Sequence, residues 1–327
     1  MNSLRAWMHI PDGYLSPATC AVFYGVMAPM WYLASKKASA ALGVKGLPLM
    51  ALGAAFTFVI QMFNFPIPGG SSGHITGGAV LGIALGPWAA VMAMSLTLGL
   101  QALLFGDGGL LSFGANCFNM ALVMPLAGYF IFRLLTVGSP GRGRRFFAAA
   151  AAAYVAVNLA AALVGLELGI QPLIARSADG HALYAPYPLH IALPAMFLPH
   201  LLFFGVVEAL GSALAVSYAV KMGLVDAGQK ASYRPLFVFL AVLTALVPLG
   251  LIATGTPWGE WGKEEIASLL GYVPSGMERF EGAWKGLLPD YGLSSGGNKA
   301  LLYVLSAFIG SALVVGVVYL WGRLWKR

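Results

Sequence analysis

Apolar stretches of membrane-crossing length recur along this chain, and they restrict its fold more than any other feature. They lie at about 17–35, 47–65, 77–86, 88–105, 114–133, 146–168, 192–219, 235–254 and 299–322. Most reach the roughly 20 residues that a helix needs to cross a bilayer. In hydrocarbon every backbone amide and carbonyl must be paired within the protein, so such runs fold as helices. Charged residues make up only 9% of the 327, whereas a soluble domain carries about 25%. The chain is therefore read as an all-α polytopic membrane protein with about nine transmembrane helices. The third stretch is too short to span alone; "GPW" at 86–88 parts it from the fourth, and the two read as a tight helical pair. The seventh, at about 28 residues, tilts or extends beyond the bilayer.

Basic residues set the orientation. Alternate connections carry Lys36, Lys37 and Lys45, then Arg133, Arg142, Arg144 and Arg145, then Lys221, Lys230 and Arg234, then Arg323, Lys326 and Arg327. These are 13 of the 19 Lys and Arg residues, and they mark the cytoplasmic side. Nine crossings then put the N-terminus outside and the C-terminus in the cytoplasm. Asp12, Asp107, Glu167, Glu260 and most other acids fall on the outer connections. The net charge of +7 is thus a topology signal and not a sign of nucleic-acid binding. Cys20 and Cys117 lie in or beside apolar runs without CxxC spacing and read as buried thiols.

The polar link "KMGLVDAGQKASYRP" (221–235) divides the chain into a body of about seven helices (8–232) and a two-helix hairpin (233–327). The hairpin's outer loop, 255–298, holds aromatics and acids and has room for a short surface helix. The Ala-rich stretch 148–165 offers a small-residue face, for packing inside the protein or for docking a partner helix. Residues 1–7, "MNSLRAW", lack the apolar core of a signal peptide and read as a start-site artefact or a removed extension.

That last reading matters because of "MHIPDGYLSP" at 8–17. In a chain beginning Met-His, the terminal amine, the histidine amide nitrogen and its imidazole bind one ion in adjoining chelate rings. The three nitrogens lie nearly in a plane, and one more imidazole completes a square, which suits Ni(II) or Cu(II) better than Zn(II). His74, in the glycine-serine loop "PGGSSGHITGG" (68–78), is the available fourth nitrogen beside Met8 and His9. No Lys follows in P-loop spacing, so the loop is not a phosphate cradle.

"MHIPDGYLSP", "SSGHITGG", "GDGGLLSFGANCFNM" (106–120) and "TPWGEW" together resemble the CbiM/NikM family, the substrate-binding (S) components of nickel/cobalt energy-coupling-factor transporters. The resemblance spans essentially 8–327 and implies that Met8, His9 and His74 hold the ion. It implies a coupling (T) membrane protein and two ATPase subunits as partners, a prokaryotic plasma-membrane location in contact with lipid, and no permanently bound cofactor. The hairpin resembles the small CbiN/NikN-type accessory protein, fused to the body. "IPDG" and that fusion lean towards nickel over cobalt.

Other polar residues carry two readings each. Asp12 either orients the His9 imidazole or serves a turn. Asn116 and Asn119 share a helix face and either orient the histidine loops or tie helices together. Glu208 is the acid placed inside a predicted membrane helix, as a structural hydrogen-bonding group or as a station for ion release. His200 lies in the same stretch, while His181 and His190 flank "YAPYPL" in an outer loop and read as ordinary loop residues. A self-sufficient secondary metal carrier or channel is the alternative function. Without HExxH, a membrane metalloprotease has little support, and without a Walker motif any ATP hydrolysis belongs to other subunits. Because Met8, His9 and His74 all precede the link, removal of the hairpin is expected to spare metal binding.

Overall fold

The computed structural model describes residues 9–43, 46–67, 71–138, 140–224, 233–253, 256–292 and 297–323. Met8 and the extension 1–7 lie outside these, as does most of the link. Among the described residues six helices are long and apolar enough to cross a membrane: Pro87–Phe105, Phe113–Leu135, Arg142–Ile174, Leu189–Lys221, Arg234–Ile252 and Lys299–Arg323. The three remaining predicted stretches correspond to α1 (Pro17–Leu42), α2 (Leu47–Gln61) and the eight-residue α3 (Gly78–Leu85). Ser16 caps α1 through its Oγ, 3.2 Å from the Thr19 amide, and Pro17 fills the first turn, where no N–H is missed.

From α3 the chain turns at Gly86 (φ 81°) into α4 (Pro87–Leu100), which widens into a π turn at Gln101–Phe105. Next come α5 (Phe113–Asn116), a π stretch at Cys117–Val123, and α6 (Met124–Leu135). The 28-residue α7 (Arg142–Gly169) is followed by short α8 (Gln171–Ile174). Then α9 (Leu189–Pro199) passes through a third π turn, His200–Phe204, into α10 (Gly205–Lys221). The C-terminal part comprises α11 (Arg234–Leu246), α12 (Lys263–Leu270), α13 (Ser275–Phe280) and α14 (Lys299–Arg323). Wider turns of this kind interrupt helices most often at functional sites, and two of the three border the cavity described below.

Small residues let these helices approach. Buried Ala149, Ala152, Ala153 and Ala156 of α7 pack against α6, α9 and α10, so the Ala-rich stretch is an internal face. A Cβ on Gly82 of α3 would fall 2.3 Å from the Pro125 carbonyl oxygen of α6, a position that only glycine can occupy. Cys20 and Cys117 are free and buried.

Three features depart from the sequence reading. The apolar run 47–65 stops being helical at Gln61, and a two-stranded antiparallel hairpin follows: β1 (Asn64–Ile67) pairs with β2 (Ser71–His74), Asn64 opposite His74. Asn64 and Pro66 disfavour continuing the helix, so the supposed loop carrying His74 is in part a strand. Glu167, assigned to an outer connection, lies in the last turns of α7 and is buried. The C-terminal hairpin is not merely appended. A Cβ on Gly310 of α14 would sit 2.0 Å from Cζ of Phe58, and Tyr303 donates to the Met62 carbonyl at 2.9 Å. Its outer loop folds inward too, burying Ile266, Met277 and Tyr291.

Candidate metal centre

His9 stands at the head of the described chain with 4% of its surface exposed. Its Nδ1 lies 3.1 Å from Oδ1 of Asp107, which accepts the hydrogen bond. Its Nε2 is buried and has no partner among the described residues. Buried polar atoms are seldom left unpaired, and this one belongs to a ring on the wall of the cavity described below. The next residue is clamped from both sides. Asn116 accepts from the Ile10 amide at 3.0 Å and donates to its carbonyl at 3.1 Å, and Ser112 Oγ donates to the same carbonyl at 2.5 Å. The "GDGG" stretch runs close alongside. A Cβ on Gly108 (φ 83°) would meet the His9 Cβ at 2.9 Å, and one on Gly109 would collide with Asp12.

Asp12 does not orient His9. Its carboxylate accepts from the amides of Leu110, Leu111 and Ser112 at 3.0, 2.8 and 3.1 Å, fixing the turn that leads into α5. Burial raises its pKa above the ordinary carboxylate value, and those amides restrain the rise. The group touching His9 is Asp107, five residues earlier in that loop than Ser112. The two asparagines divide the roles proposed for them. Asn116 fixes the residue after His9, while Asn119 ties helices, donating to Glu167 of α7 at 2.9 Å.

His74 ends β2, with Nδ1 3.2 Å from the Ile75 carbonyl oxygen. Glu208 of α10 holds the residues just beyond it. Its carboxylate accepts from the Thr76 amide at 2.7 Å, the Thr76 hydroxyl at 3.0 Å and the Gly77 amide at 3.1 Å. Gln61, at the end of α2, donates to the Thr76 carbonyl at 3.0 Å. The intramembrane acid thus secures the strand end that presents His74, across 132 residues of sequence. The result is a meeting of two imidazoles: the His9 and His74 ring centroids are 5.6 Å apart, edge to face at 69°.

Both rings line a cavity of about 290 Å³, with His200, Asn116, Asn119, Met120, Met124 and Met196 on its walls. His200 is a third histidine on the wall, its Nδ1 2.7 Å from the Met196 carbonyl oxygen. His181 lies tilted against Tyr272 with ring centroids 4.6 Å apart and, like His190, is exposed and absent from that wall. The C-terminal part closes one side with Pro257, Trp258, Gly259 and Glu260. Oε2 of Glu260 is buried and has no partner among the described residues. Burial lifts this carboxyl well above its usual range, and the charge of Asp107 adds to the rise. A divalent cation beside it would act in the opposite sense. Tyr291 reaches the His9 side directly, donating to Oδ2 of Asp107 at 2.5 Å.

Among the described residues no group of three or more His, Cys, Asp and Glu side chains is placed to hold a metal ion. The fold brings the imidazoles of His9 and His74 together at the cavity, with His200 elsewhere on its wall. Residues 9–224 match the family described as the CbiM cobalt uptake substrate-specific transmembrane region, and 234–327 match the PDGLE domain. This chain belongs to the CbiM family.

Two relatives extend across both parts. It is 44% identical to the fused nickel transport protein NikMN of Rhodobacter capsulatus, over 94% of this chain and 95% of that one. It is 41% identical to the probable fused nickel transport protein LarMN of Lactiplantibacillus plantarum, over 92% of this chain and 93% of that one. The crystal structure of a truncated transition metal transporter superposes with a TM-score of 0.61 at 47% identity, over 65% of this chain and 99% of that one. Such relatives are transport proteins and not enzymes, and the CbiM-family chain described here is a multi-pass membrane protein of that kind.

Sequence reasoning picked out His9, His74, Asn116 and Glu208 but missed Asp107, Tyr291 and Glu260 as neighbours of the site. "GDGG" held a signal for the first, since an acid among glycines lets the backbone press against another segment. Glu260 lies inside the "TPWGEW" motif, whose place beside the site the sequence did not reveal, and no local pattern announces Tyr291.

Proposed function

We propose that this chain is the substrate-binding membrane component of an ATP-driven importer of the energy-coupling-factor type, carrying Ni(II) or Co(II) across a prokaryotic plasma membrane. The observation that supports it most is the convergence of His9 and His74, 5.6 Å apart at the wall of one cavity, with no group of three His, Cys, Asp or Glu side chains placed to hold an ion among the described residues. Two imidazoles leave two corners of a square. The amine of Met8 and the amide nitrogen of His9 fill them, provided the working chain starts at Met8. The ring that joins that amide to its own imidazole uses Nδ1, because only that nitrogen closes six members. Nδ1 now faces Asp107, so binding turns the imidazole half a revolution about its Cβ–Cγ bond. The turn exchanges ring atoms of nearly equal size and frees Asp107 from His9, while Tyr291 keeps its hold on the other oxygen.

The relatives that share both parts of this chain are named for nickel, which favours nickel as the cargo. With nine crossings, the N-terminus and the site face outside and the C-terminus lies in the cytoplasm. A coupling membrane protein and two ATPase subunits supply the drive, and residues 8–232 and 233–327 act as body and accessory hairpin. Uptake into right-side-out vesicles loaded with ATP separates this from a self-sufficient carrier. Nickel is expected to accumulate only with ATP and all partner subunits present. Accumulation by this chain alone, driven by an ion gradient, would refute the proposal.

A further inference from the structure

The cavity that contains the two imidazoles is not closed by the seven-helix body alone. Pro257 to Glu260, from the loop between α11 and α12, complete its wall. In that loop Glu260 places Oε2 out of solvent with no hydrogen-bonding partner among the described residues. Among the body's buried acids Asp107 bonds His9 and Tyr291, Glu208 bonds Thr76 and Gly77, and Glu167 bonds Asn119; Glu167 also keeps Oε1 without a partner among the described residues, but it does not line the cavity. A buried carboxyl oxygen without a partner is costly to the empty protein. Such a group is accounted for when it meets a positive charge that comes and goes.

We infer that Glu260 is the carboxylate with which the C-terminal part receives the divalent cation in the cavity. The inference rests on the proposed His9–His74 site and adds a residue to it. Glu260 stays outside the set of directly bound nitrogens, in keeping with the absence of a three-residue ligand cluster among the described residues. Its task is charge. A cation arriving with two positive charges drives off the proton that burial keeps on Glu260, which passes to solvent, so that the ionised Glu260 and nearby Asp107 together offset its charge. In a low-dielectric cavity such charge pairing is worth more than in water, so it favours capture of the ion. It also gives the fused hairpin a chemical reason to be attached: the body supplies the nitrogens and the hairpin supplies a counter-charge.

The test compares the full chain with Glu260→Gln, Glu260→Asp and, as a control on the site itself, His9→Ala. Nickel association is followed by rapid mixing, and thermal stability is measured without metal. Glu260→Gln keeps size and shape and removes the charge. It is expected to slow association by roughly tenfold, within the range of electrostatic steering. Its metal-free melting temperature should be unchanged or higher, because a costly buried group has gone. Glu260→Asp should keep most of the rate. Wild-type association in Glu260→Gln would overturn the inference. So would a fall in melting temperature matched by an equal loss of rate in Glu260→Asp, which is the mark of a packing role. Should His9→Ala bind nickel as the wild type does, the site reading itself fails, and that outcome is separate from either.

Discussion

Replacing His9 by alanine is expected to weaken nickel binding about 1,000-fold, a loss of ~4 kcal/mol. The substitution removes an imidazole and, with it, the six-membered ring that ties the amide nitrogen to the ion. Two ligands are affected by one change. His74→Ala removes a single nitrogen and leaves the chelate, so its effect should be clearly smaller. Both should exceed the 10- to 100-fold typical of changes outside the ligand set. Equilibrium titration of detergent-solubilised protein measures all of this. Equal and modest losses would place the ion elsewhere in the cavity, with His200 the next histidine to replace.

The second large effect concerns the amine of Met8. A chain that starts at Met8 is compared with the same chain carrying one alanine ahead of it. The added residue turns a primary amine into an ordinary peptide nitrogen and leaves every side chain in place. Affinity is expected to fall at least 100-fold, about 3 kcal/mol. The chain retaining residues 1–7 should behave like the extended one. If all three bind nickel equally, the amine is not a ligand, and the two imidazoles must be completed by side chains.

Truncation of the hairpin now carries a different expectation from the one that sequence order suggests. Met8, His9 and His74 do precede the link, yet Tyr291 bonds Asp107 and residues 257–260 line the cavity. Proximity in the chain was a poor guide here because the decisive contacts join residues 184 apart. Local signals did better. Membrane-length apolar runs mark six long helices, since each must satisfy its own backbone. His9 stood out because it follows a methionine able to start the chain, and His74 because a fourth nitrogen was needed and the motif resemblance pointed to it; the two rings do meet. Glycines flagged close approach, and Gly108 and Gly109 indeed press on His9 and Asp12. What stayed hidden was partner choice. Asp12 and Asp107 are both acids near glycine, and nothing in the sequence says that the first binds a turn while the second takes the histidine. The β-hairpin was concealed for a similar reason: Asn64–Ile67 continues an apolar run and looks like the end of a helix.

The central claim is that one nickel ion sits in a plane of four nitrogens, two from imidazoles and two from the backbone around Met8 and His9. X-ray absorption at the nickel edge of the loaded, Met8-initiated chain tests it most directly. The account predicts a four-coordinate, square-planar ion with nitrogen ligands only and the outer-shell scattering of two imidazole rings, one ring being lost in His74→Ala. A six-coordinate ion bound mainly by oxygen, or one with a sulfur ligand from the cavity methionines, would contradict it.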